Sequence, residues 1–352
     1  MILPASAPES ITACADTLRA GGLIGLPTET VYGLAADAGN DAAVAQIFAA
    51  KGRPADHPLI VHVSAQDGGM SGVAHFASQV PPFAQQLMSA FWPGPLTLIL
   101  PRRAGVGTAA AGGQASVGVR CPSHPAAQAV LRALHDAPAG VEPVWGLAAP
   151  SANRFGRVSP TTAAHVDSEL GPDLLILDGG PCDLGIESTI VDCTRGAPVL
   201  LRPGSITREQ VEQACGRKLL SKEELIEQEA RGLAAPKASG TLESHYAPNA
   251  QVRLMDAQSL QAALDLLGDV MYPDGSNTRP TIAVYARAAL KKIPLSVSLR
   301  RMPDDAAATA QQLFAVLRAF DATGVKLIWV ETPPDTQEWE GVRDRLQRAS
   351  AT

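Results

Sequence analysis

Basic and hydroxyl side chains follow apolar runs at several places in this sequence. Lys51 and Arg53 lie in "AKGRPADHPLIVH", between a helix pattern and a strand pattern, and Ser151 and Asn153 follow the apolar run "WGLAAP". A lysine near a helix C-terminus and a polar turn are also common for structural reasons alone. Two cations in a loop held by prolines suit a polyanion, and hydroxyl and amide donors at a strand end suit a ligand. The types and spacing of these residues therefore favour an anion-binding site.

Three further strand ends carry the same kinds of side chain. Arg120 ends "ASVGVR", Ser188 and Thr189 lie in "GIESTIVD", and Arg202 lies in "LLRPGSIT". Ligands of open α/β sheets usually bind at strand ends, so the coincidence of several such ends predicts that they converge on one site.

The stretch "LPTETVYGLA" at residues 26–35 allows two interpretations. It can be a helix cap, with Thr28 or Thr30 accepting backbone N–H bonds and Glu29 favouring the helix start. It can also be the wall of a binding site, since four polar or aromatic side chains lie within five positions. The stretch alone leaves both interpretations open.

Common catalytic motifs are absent from the sequence. "GPCDLGIE" has the glycine spacing of a phosphate-binding loop, but Ile186 and Glu187 replace its lysine and hydroxyl. "GVGTAA" at 105–110 fits a dinucleotide fingerprint only formally, because it does not directly follow a strand and more glycines follow it, so a loop is expected. No H-E-x-x-H or G-x-S-x-G is present. His62 alternates with apolar residues in "LIVHV", and a core histidine and a ligand contact are both open.

Composition indicates a folded globular protein. The 352 residues are 46% hydrophobic and 18% charged, and the net charge of −6 argues against a broad basic face for nucleic acid. The five cysteines are scattered and form no C-x-x-C pair, which disfavours a disulfide framework or a zinc site. The start of the sequence does not read as a signal peptide and no apolar run is long enough to span a membrane, so we expect a cytoplasmic protein.

Strand and helix patterns alternate along most of the chain, and several strands follow one another closely. This predicts an α/β (α+β) fold with a mixed, twisted sheet flanked by helices. The composition changes near residue 216, so we predict a first domain at 1–215, a linker at 216–249 with at most one short helix, and a small Rossmann-like α/β domain at 250–352. Strands are expected at 23–27, 58–63, 95–101, 115–120, 145–151, 174–180, 188–193, 198–204, 251–255, 281–286 and 326–331, and helices at 9–20, 80–91, 125–135, 160–169, 207–215, 256–267, 304–320 and 338–349, with one more capped by Asp41.

Taken together, these stretches resemble a known family. "LPTETVYGLA", "KGRPADHPLIVH", "FWPGPLTLIL", "VGVRCPSHP", "AAPSANRFGRVSPT", "LDGG", "GIESTIVD" and "LLRPGSIT" look like the YrdC-type domain of threonylcarbamoyl-AMP synthases. The likeness runs in order through about residues 10–210, and the "HYAP" of the linker with the α/β tail is similar to the long, two-domain form.

The resemblance implies an ATP-dependent enzyme that makes threonylcarbamoyl-AMP and pyrophosphate from L-threonine, bicarbonate and ATP. Magnesium would enter with ATP, and no prosthetic group or protein-bound metal is implied. A separate transferase complex would pass the threonylcarbamoyl group to tRNA next to the anticodon. Neither stable nucleic-acid binding nor membrane binding is expected.

The family's residue roles carry over to matching positions. The catalytic residues implied are Lys51, Arg53, Ser151 and Asn153; the ATP-binding residues are these four with Thr97, Ser159, Arg202 and Tyr246; the threonine-binding residues are Thr28, His62, Arg120 and Ser188. A planar arginine suits the threonine carboxylate, and short hydroxyl side chains suit the threonine side chain.

Two motifs depart from the family pattern. The linker motif, usually similar to "PGM-x-x-R-HYAP", here reads "SGTLESHYAP", with Ser239, Thr241 and Ser244 at the changed positions. We still expect this loop to cover the site as a lid, with Tyr246 near the nucleotide. The tail reads "RDRLQRAS", with Asp344 where the family has asparagine.

Two other functions fit a domain of this type. One is an RNA-binding or ribosome-associated module, which the acidic charge and the lack of aromatic stacking motifs oppose. The other is carbamoyl transfer in hydrogenase maturation, whose usual zinc-binding cysteine pairs and acylphosphatase-like segment are not visible in the sequence.

Overall fold

A computed structural model describes residues 1–230, 232, 236–240, 245–267 and 281–351 of the chain. The chain divides into two compact units, each with its own sheet. The first comprises Met1–Phe155 and Ser159–Thr241, and the second comprises Gly156–Val158 and Leu242–Thr352. The domain boundaries predicted at 215 and 249 stay predictions.

The first unit is built on a mixed sheet. Its strands in the described residues are β1 (Ile2–Pro4), β2 (Ile24–Leu26), β3 (Gly33–Asp37), β4 (Ile60–His62), β5 (Leu96–Pro101), β6 (Ser116–Arg120), β7 (Leu147–Ala148), β8 (Leu175–Asp178), β9 (Thr189–Asp192) and β10 (Val199–Arg202). Their order in the sheet is β1-β8-β2-β3-β7-β4-β6-β5-β9-β10, with parallel and antiparallel neighbours. The predicted mixed sheet is confirmed.

Helices cover this sheet. They are α1 (Pro8–Arg19), α2 (Asp41–Lys51), α3 (Met70–Phe76), α4 (Pro82–Phe91), α5 (Pro125–His135), α6 (Ala163–Leu170) and α7 (Arg208–Cys215). A further helix, α8 (Lys222–Ala230), lies in the predicted linker, and its described side chains are mostly exposed. One buried cluster includes Ile47 of α2, Leu87 of α4 and Leu98 of β5, and a second includes Leu18 of α1 and Leu131 of α5. These apolar residues leave water on folding, and their burial stabilises the sheet by about 25 cal/mol per Å² of apolar surface.

The stretch between β2 and β3 is a turn, so its interpretation as a helix cap is wrong. Strand β3 pairs antiparallel with β2, and its first residue Gly33 lies opposite Leu26. The hydroxyl oxygen of Thr28 does accept backbone N–H bonds, from Thr30 and Val31 at 3.3 Å, but it closes a turn between strands.

The start of α2 also differs from the prediction. Asn40, and not Asp41, is the N-cap, because its side-chain oxygen accepts the backbone N–H groups of Ala42 and Ala43 at 3.1 Å. The helix ends at Lys51, and Gly52 follows it in the left-handed conformation with φ of 62°.

Two other elements are shorter than predicted. The strand expected at 145–151 is confined to Leu147–Ala148, and the helix expected at 160–169 begins at Ala163 behind the cap residue Thr162. The glycine-rich stretch at 105–110 contains neither helix nor strand, as expected.

The second unit contains a small parallel sheet. Its strands in the described residues are β11 (Gln251–Met255), β12 (Ile282–Ala286), β13 (Val297–Arg301) and β14 (Leu327–Glu331), and their order is β11-β14-β12-β13. Its helices are α9 (Ala257–Leu267), α10 (Ala306–Ala322) and α11 (Glu340–Ser350). The parallel pairing confirms the predicted Rossmann-like α/β class. Within the part of the chain that the structure describes, no helix has both the length and the apolar character that a bilayer crossing requires.

Candidate functional site

Three polar side chains form a row across neighbouring strands of the first unit. His62 of β4 lies in register with Arg120 of β6, and Arg120 lies in register with Thr97 of β5. Paired residues in adjacent strands point to the same face of a sheet, so the three side chains share one face. All three are buried.

The same face carries a small apolar cluster beside this row. Ile60, Ile99 and Ile190 pack together, with Ala238 of the linker against them. Gly118 lies between Ile60 and Ile99 in the sheet and adds no side chain. The site therefore joins an apolar floor to a row of polar groups, as small-molecule sites commonly do.

The turn after β2 reaches Arg120 through a directed chain of hydrogen bonds. Arg120 Nη1 donates to Thr30 Oγ1 at 2.8 Å, and Thr28 Oγ1 donates to the carbonyl oxygen of Val31 at 2.6 Å. The two threonine hydroxyls lie 2.9 Å apart. A hydroxyl has one hydrogen, and that of Thr28 is directed to Val31, so Thr30 must donate to Thr28. The turn thus fixes the hydrogen-bond directions of the hydroxyl groups of Thr28 and Thr30.

Glu29 is the closest charged neighbour that the structure gives Arg120. Its Oε1 lies 2.7 Å from Arg120 Nη2, and both side chains are buried. Burial by itself raises the pKa of Glu29, but the charge and close N–H contact of Arg120 and the backbone N–H groups of Glu29 and Ser123 outweigh it and lower the pKa below its usual value. Glu29 is therefore a charged carboxylate at neutral pH.

His62 is neutral in this setting. Burial, followed by the charge of Arg120, lowers the pKa of His62 to about 3. Its Nδ1 lies 3.2 Å from the carbonyl oxygen of Ile60, and the backbone of Leu147 also hydrogen-bonds the ring. A neutral imidazole has one N–H donor and one acceptor nitrogen.

A second group of contacts joins β5, β9 and β10. Thr97 Oγ1 and Ser188 Oγ lie 2.8 Å apart. Arg202 donates from Nε to the Ser188 carbonyl at 3.0 Å and from Nη2 to Ser188 Oγ at 3.1 Å. Because Thr97 also adjoins Arg120 in the sheet, these contacts continue the polar row.

Lys51 holds the segment that contains Ser151 and Asn153. Its Nζ donates to the backbone carbonyl of Ser151 at 2.6 Å and to that of Asn153. Burial, followed by the charge of Arg53, lowers the pKa of Lys51 well below its usual value, and Glu169 offsets this in part. The predicted catalytic pairs Lys51–Arg53 and Ser151–Asn153 are thus brought together.

The described linker residues 236–240 contact two of the predicted ATP-binding residues, Arg202 and Arg53. Arg202 Nη1 donates to the backbone carbonyl of Ser239 at 2.9 Å, and Arg53 Nη2 approaches Ser239 Oγ at 3.4 Å. Lys237 Nζ also lies 2.6 Å from Asp56 Oδ2. Ser239 is a changed position of the linker motif; the other two, Thr241 and Ser244, lie outside the described residues.

Two predicted ATP-binding residues have other surroundings. Ser159 is buried and donates to Glu187 Oε1, a carboxylate that the sequence interpretation did not assign to the site. Tyr246 belongs to the second unit, where it is buried with φ of 62° and its ring packs against Phe314 and the guanidinium of Arg345. Its role at the nucleotide stays a prediction.

Sequence interpretation offered the stretch that contains Thr30 and Glu29 as a site wall but gave neither residue a role. Both lie in a stretch that also reads as a helix start, and the signal that identifies them is their contact with Arg120, far along the chain. Together these contacts define a class of protein: a mixed α/β domain that buries arginine, lysine and hydroxyl groups near strand, turn and helix ends, an arrangement suited to a small anionic ligand.

Comparison with known proteins gives the family. The sequence model of the Sua5–YciO–YrdC family, described as telomere recombination, matches residues 16–204, and that of the threonylcarbamoyl-AMP synthase C-terminal domain matches residues 206–351. The threonylcarbamoyl-AMP synthase of Bacillus subtilis is 36% identical over 97% of this chain and 92% of its own length. That of Pyrococcus abyssi is 35% identical over 97% and 94%.

A solved structure agrees with the sequence relatives. The crystal structure of P. abyssi Sua5 complexed with L-threonine superposes with a TM-score of 0.83 at 32% identity, covering 99% of this chain and 97% of that one. The chain therefore belongs to the threonylcarbamoyl-AMP synthase family, in its two-domain form, and is an enzyme.

Proposed function

We propose that this protein is an L-threonylcarbamoyladenylate synthase, a nucleotidyltransferase. The amino group of L-threonine and bicarbonate form a carbamate with loss of water. A carbamate oxygen then attacks the α-phosphorus of ATP, and pyrophosphate leaves. The relatives' name and the threonine bound to P. abyssi Sua5 support these substrates.

The turn and the polar row suit the threonine side. Arg120 would bind the carboxylate, since a guanidinium donates two parallel hydrogen bonds to it. The neutral ring of His62 would border the substrate with Thr28 and Ser188. The contacts of Thr28 and Thr30 with the backbone and with Arg120 support a preformed site.

The cationic groups suit the ATP side. Arg53 and Arg202 would neutralise the phosphates and the charge that develops at the α-phosphorus. Lys51, whose pKa is lowered without a ligand, would be protonated once phosphate oxygens lie beside it, because a nearby negative charge favours the charged form. Ser151, Asn153, Thr97 and Ser159 would donate or accept hydrogen bonds. Phosphoryl transfer depends mainly on such positioned charges, so it needs no protein nucleophile. The linker contacts of Arg53 and Arg202 would give way to phosphate oxygens, or remain beside them, when ATP binds. Tyr246 would approach the nucleotide from the lid.

Magnesium would be held by the nucleotide itself. Among the described residues, no three His, Cys, Asp or Glu side chains form a group that could hold a metal ion. Mg²⁺ usually keeps several waters and binds substrate phosphates, so we expect it to enter with ATP. Bound in this way, the ion supplies charge neutralisation at the phosphates.

The product would be consumed by a transferase that modifies tRNA. Its mixed anhydride between carbamate and phosphate is an activated acyl donor, so direct transfer to an adenosine amine needs no further ATP. The enzyme would act in the cytoplasm, where tRNA and ATP are available.

The observation that carries the proposal is the buried row of His62, Arg120 and Thr97, joined through Ser188 to Arg202. Release of pyrophosphate from ATP tests it directly. We expect release to require both L-threonine and bicarbonate. Lys51→Ala should lower the rate about 100-fold or more while circular dichroism stays unchanged, because one preorganised charge at a phosphoryl centre has an effect of that order.

Two results would contradict the proposal. Pyrophosphate release that is indifferent to threonine would exclude this reaction. Tight, salt-sensitive RNA binding without ATP turnover would favour the RNA-binding alternative.

A further inference from the structure

Glu29 is a buried carboxylate in the site to which the proposed mechanism gives no role. We propose that Glu29 binds the ammonium group of the amino-acid substrate and, with Arg120, forms a charge pair that matches a zwitterionic α-amino acid. The inference rests on the proposed function, because it concerns the threonine side of the same site.

The charges on this side of the site balance as a pair. Arg120 contributes one positive charge and Glu29 one negative charge, 2.7 Å apart, while His62 is neutral. Buried charges are stable only when paired, and without ligand the two side chains pair with each other. A free α-amino acid carries one ammonium and one carboxylate, so it can join the pair without leaving any net charge unbalanced.

Both partners have bonding capacity left for a ligand. Arg120 has five N–H donors, and the contacts described direct one each to Gly94, Thr30 and Glu29. Neither carboxylate oxygen of Glu29 meets full hydrogen-bond geometry with a donor, although Oε1 is near Arg120 and the backbone N–H groups of Glu29 and Ser123 contribute. A carboxylate has about four acceptor positions, so an ammonium group can be added.

The position of Glu29 also fits this role. It lies between Thr28 and Thr30 in the turn whose hydroxyl chain ends on Arg120. Because Glu29 contacts Arg120, it also lies close to any substrate carboxylate that Arg120 binds. The ammonium and carboxylate of an α-amino acid are attached to one carbon, so their partners must be neighbours as well.

Glu29 acts by recognition and not as a general base. Its pKa lies below the ordinary value for a carboxyl, so it is a weak proton acceptor near neutral pH. A permanently charged carboxylate suits a cation that it binds before the carbamate forms.

Calorimetric binding to the full-length protein separates ammonium recognition from mere positioning of Arg120. The two ligands are L-threonine and the matching 2,3-dihydroxybutanoate, in which a hydroxyl replaces the ammonium. For Glu29→Gln we expect threonine to bind about tenfold more weakly or worse, as for loss of a charge-assisted hydrogen bond, and the dihydroxy acid to bind as tightly as before or more tightly, because its carboxylate pairs with the Arg120 charge that Glu29 no longer balances. Equal weakening of both ligands, or unchanged threonine binding, would overturn the inference.

A second variant and a control complete the test. If Glu29→Gln does not fold, Glu29→Asp keeps the charge on a shorter side chain and should still weaken threonine more than the dihydroxy acid. Asp192→Asn removes another buried carboxylate paired with an arginine, Arg195 at 2.8 Å, and should lower stability without changing the ratio of the two affinities. Threonine-dependent pyrophosphate release by the unmodified protein is measured separately, so a failure of the proposed function is recognised independently.

Discussion

At the residue scale, Arg120 organises the substrate side of the site. Its guanidinium contacts a backbone carbonyl, a threonine hydroxyl and a carboxylate, so its orientation is fixed from three directions. A rigid donor needs little ordering when a ligand binds, and preorganisation of this kind favours both affinity and catalysis.

The charge of Arg120 also keeps His62 neutral, which makes stability depend on pH. Burial and Arg120 lower the pKa of His62 to about 3, whereas an unfolded histidine has a pKa of about 6.5. Between these values the unfolded state binds more protons, so the free energy of unfolding falls as the pH falls from about 6.5 toward 3, by at most about 1.4 kcal/mol per pH unit.

Replacing His62 should remove this dependence. Calorimetric melting of His62→Gln at about pH 7 and about pH 4.5 should show a smaller loss of Tm than the unmodified protein. Because the substitution also changes packing, the quantity compared between the two proteins is the change in Tm from one pH to the other, and not Tm at either pH. An identical loss in both proteins would mean that His62 does not titrate as described.

At the element scale, α2 delivers Lys51 to the site. The helix has a defined start at the Asn40 cap and a defined end at Gly52, so its last residue has a fixed position. The carbonyl of Lys51 accepts the backbone N–H of Phe155 at 2.8 Å, and its side chain holds Ser151 and Asn153. The helix and the loop after β7 therefore form one support for the ATP side.

Loss of the α2 cap should be measurable. Asn40→Ala should lower the free energy of unfolding by about 1 kcal/mol, because two helix N–H groups lose their acceptor. The matched variant Asp41→Ala should cost no more than about half of that, since Asp41 contributes only a favourable first-turn charge and one contact at 3.2 Å to Ala109 N. Urea unfolding measures both. A larger loss for Asp41→Ala would restore Asp41 as the cap.

The elements that the sequence predicts are those with a strong local pattern. The alternation of Leu59, Val61 and Val63 with Ile60 and His62 predicts the two faces of β4, and the structure places the first three in the main core. Strand β3, "GLAAD", has three small residues and no β-branched or aromatic residue, so its pairing with β2 has no local signal. The pairing depends on partners that only the folded sheet supplies.

The site shows the same difference between features that a local pattern predicts and contacts that only the folded sheet supplies. The strand ends bearing Arg120 and Arg202 and the helix end bearing Lys51 are visible locally, and the convergence of the strand ends follows from sheet geometry. The partnership of Glu29 with Arg120 joins positions that are distant in sequence, and the local context of Glu29 resembles a helix start. Such a contact becomes apparent only when the strands are assembled.

At the scale of the whole molecule, each unit has its own sheet and its own buried cluster. The second unit buries Leu260 of α9 and Val284 of β12 with other apolar residues in a core separate from those of the first unit. The groups assigned to threonine, and the cations assigned to ATP, all belong to the first unit. The proposed threonine site and the proposed phosphate-binding cations therefore lie in the first unit.

The incorporation of labelled bicarbonate tests the central claim most directly. The full-length protein is incubated with ATP, L-threonine, Mg²⁺ and ¹³C-bicarbonate, and the adenylate product is examined by mass spectrometry. The account predicts an adenylate that contains both threonine and one ¹³C atom, formed with one pyrophosphate per molecule, and no such product without threonine. An adenylate without the label, or ATP cleavage that yields only AMP or ADP, would contradict it.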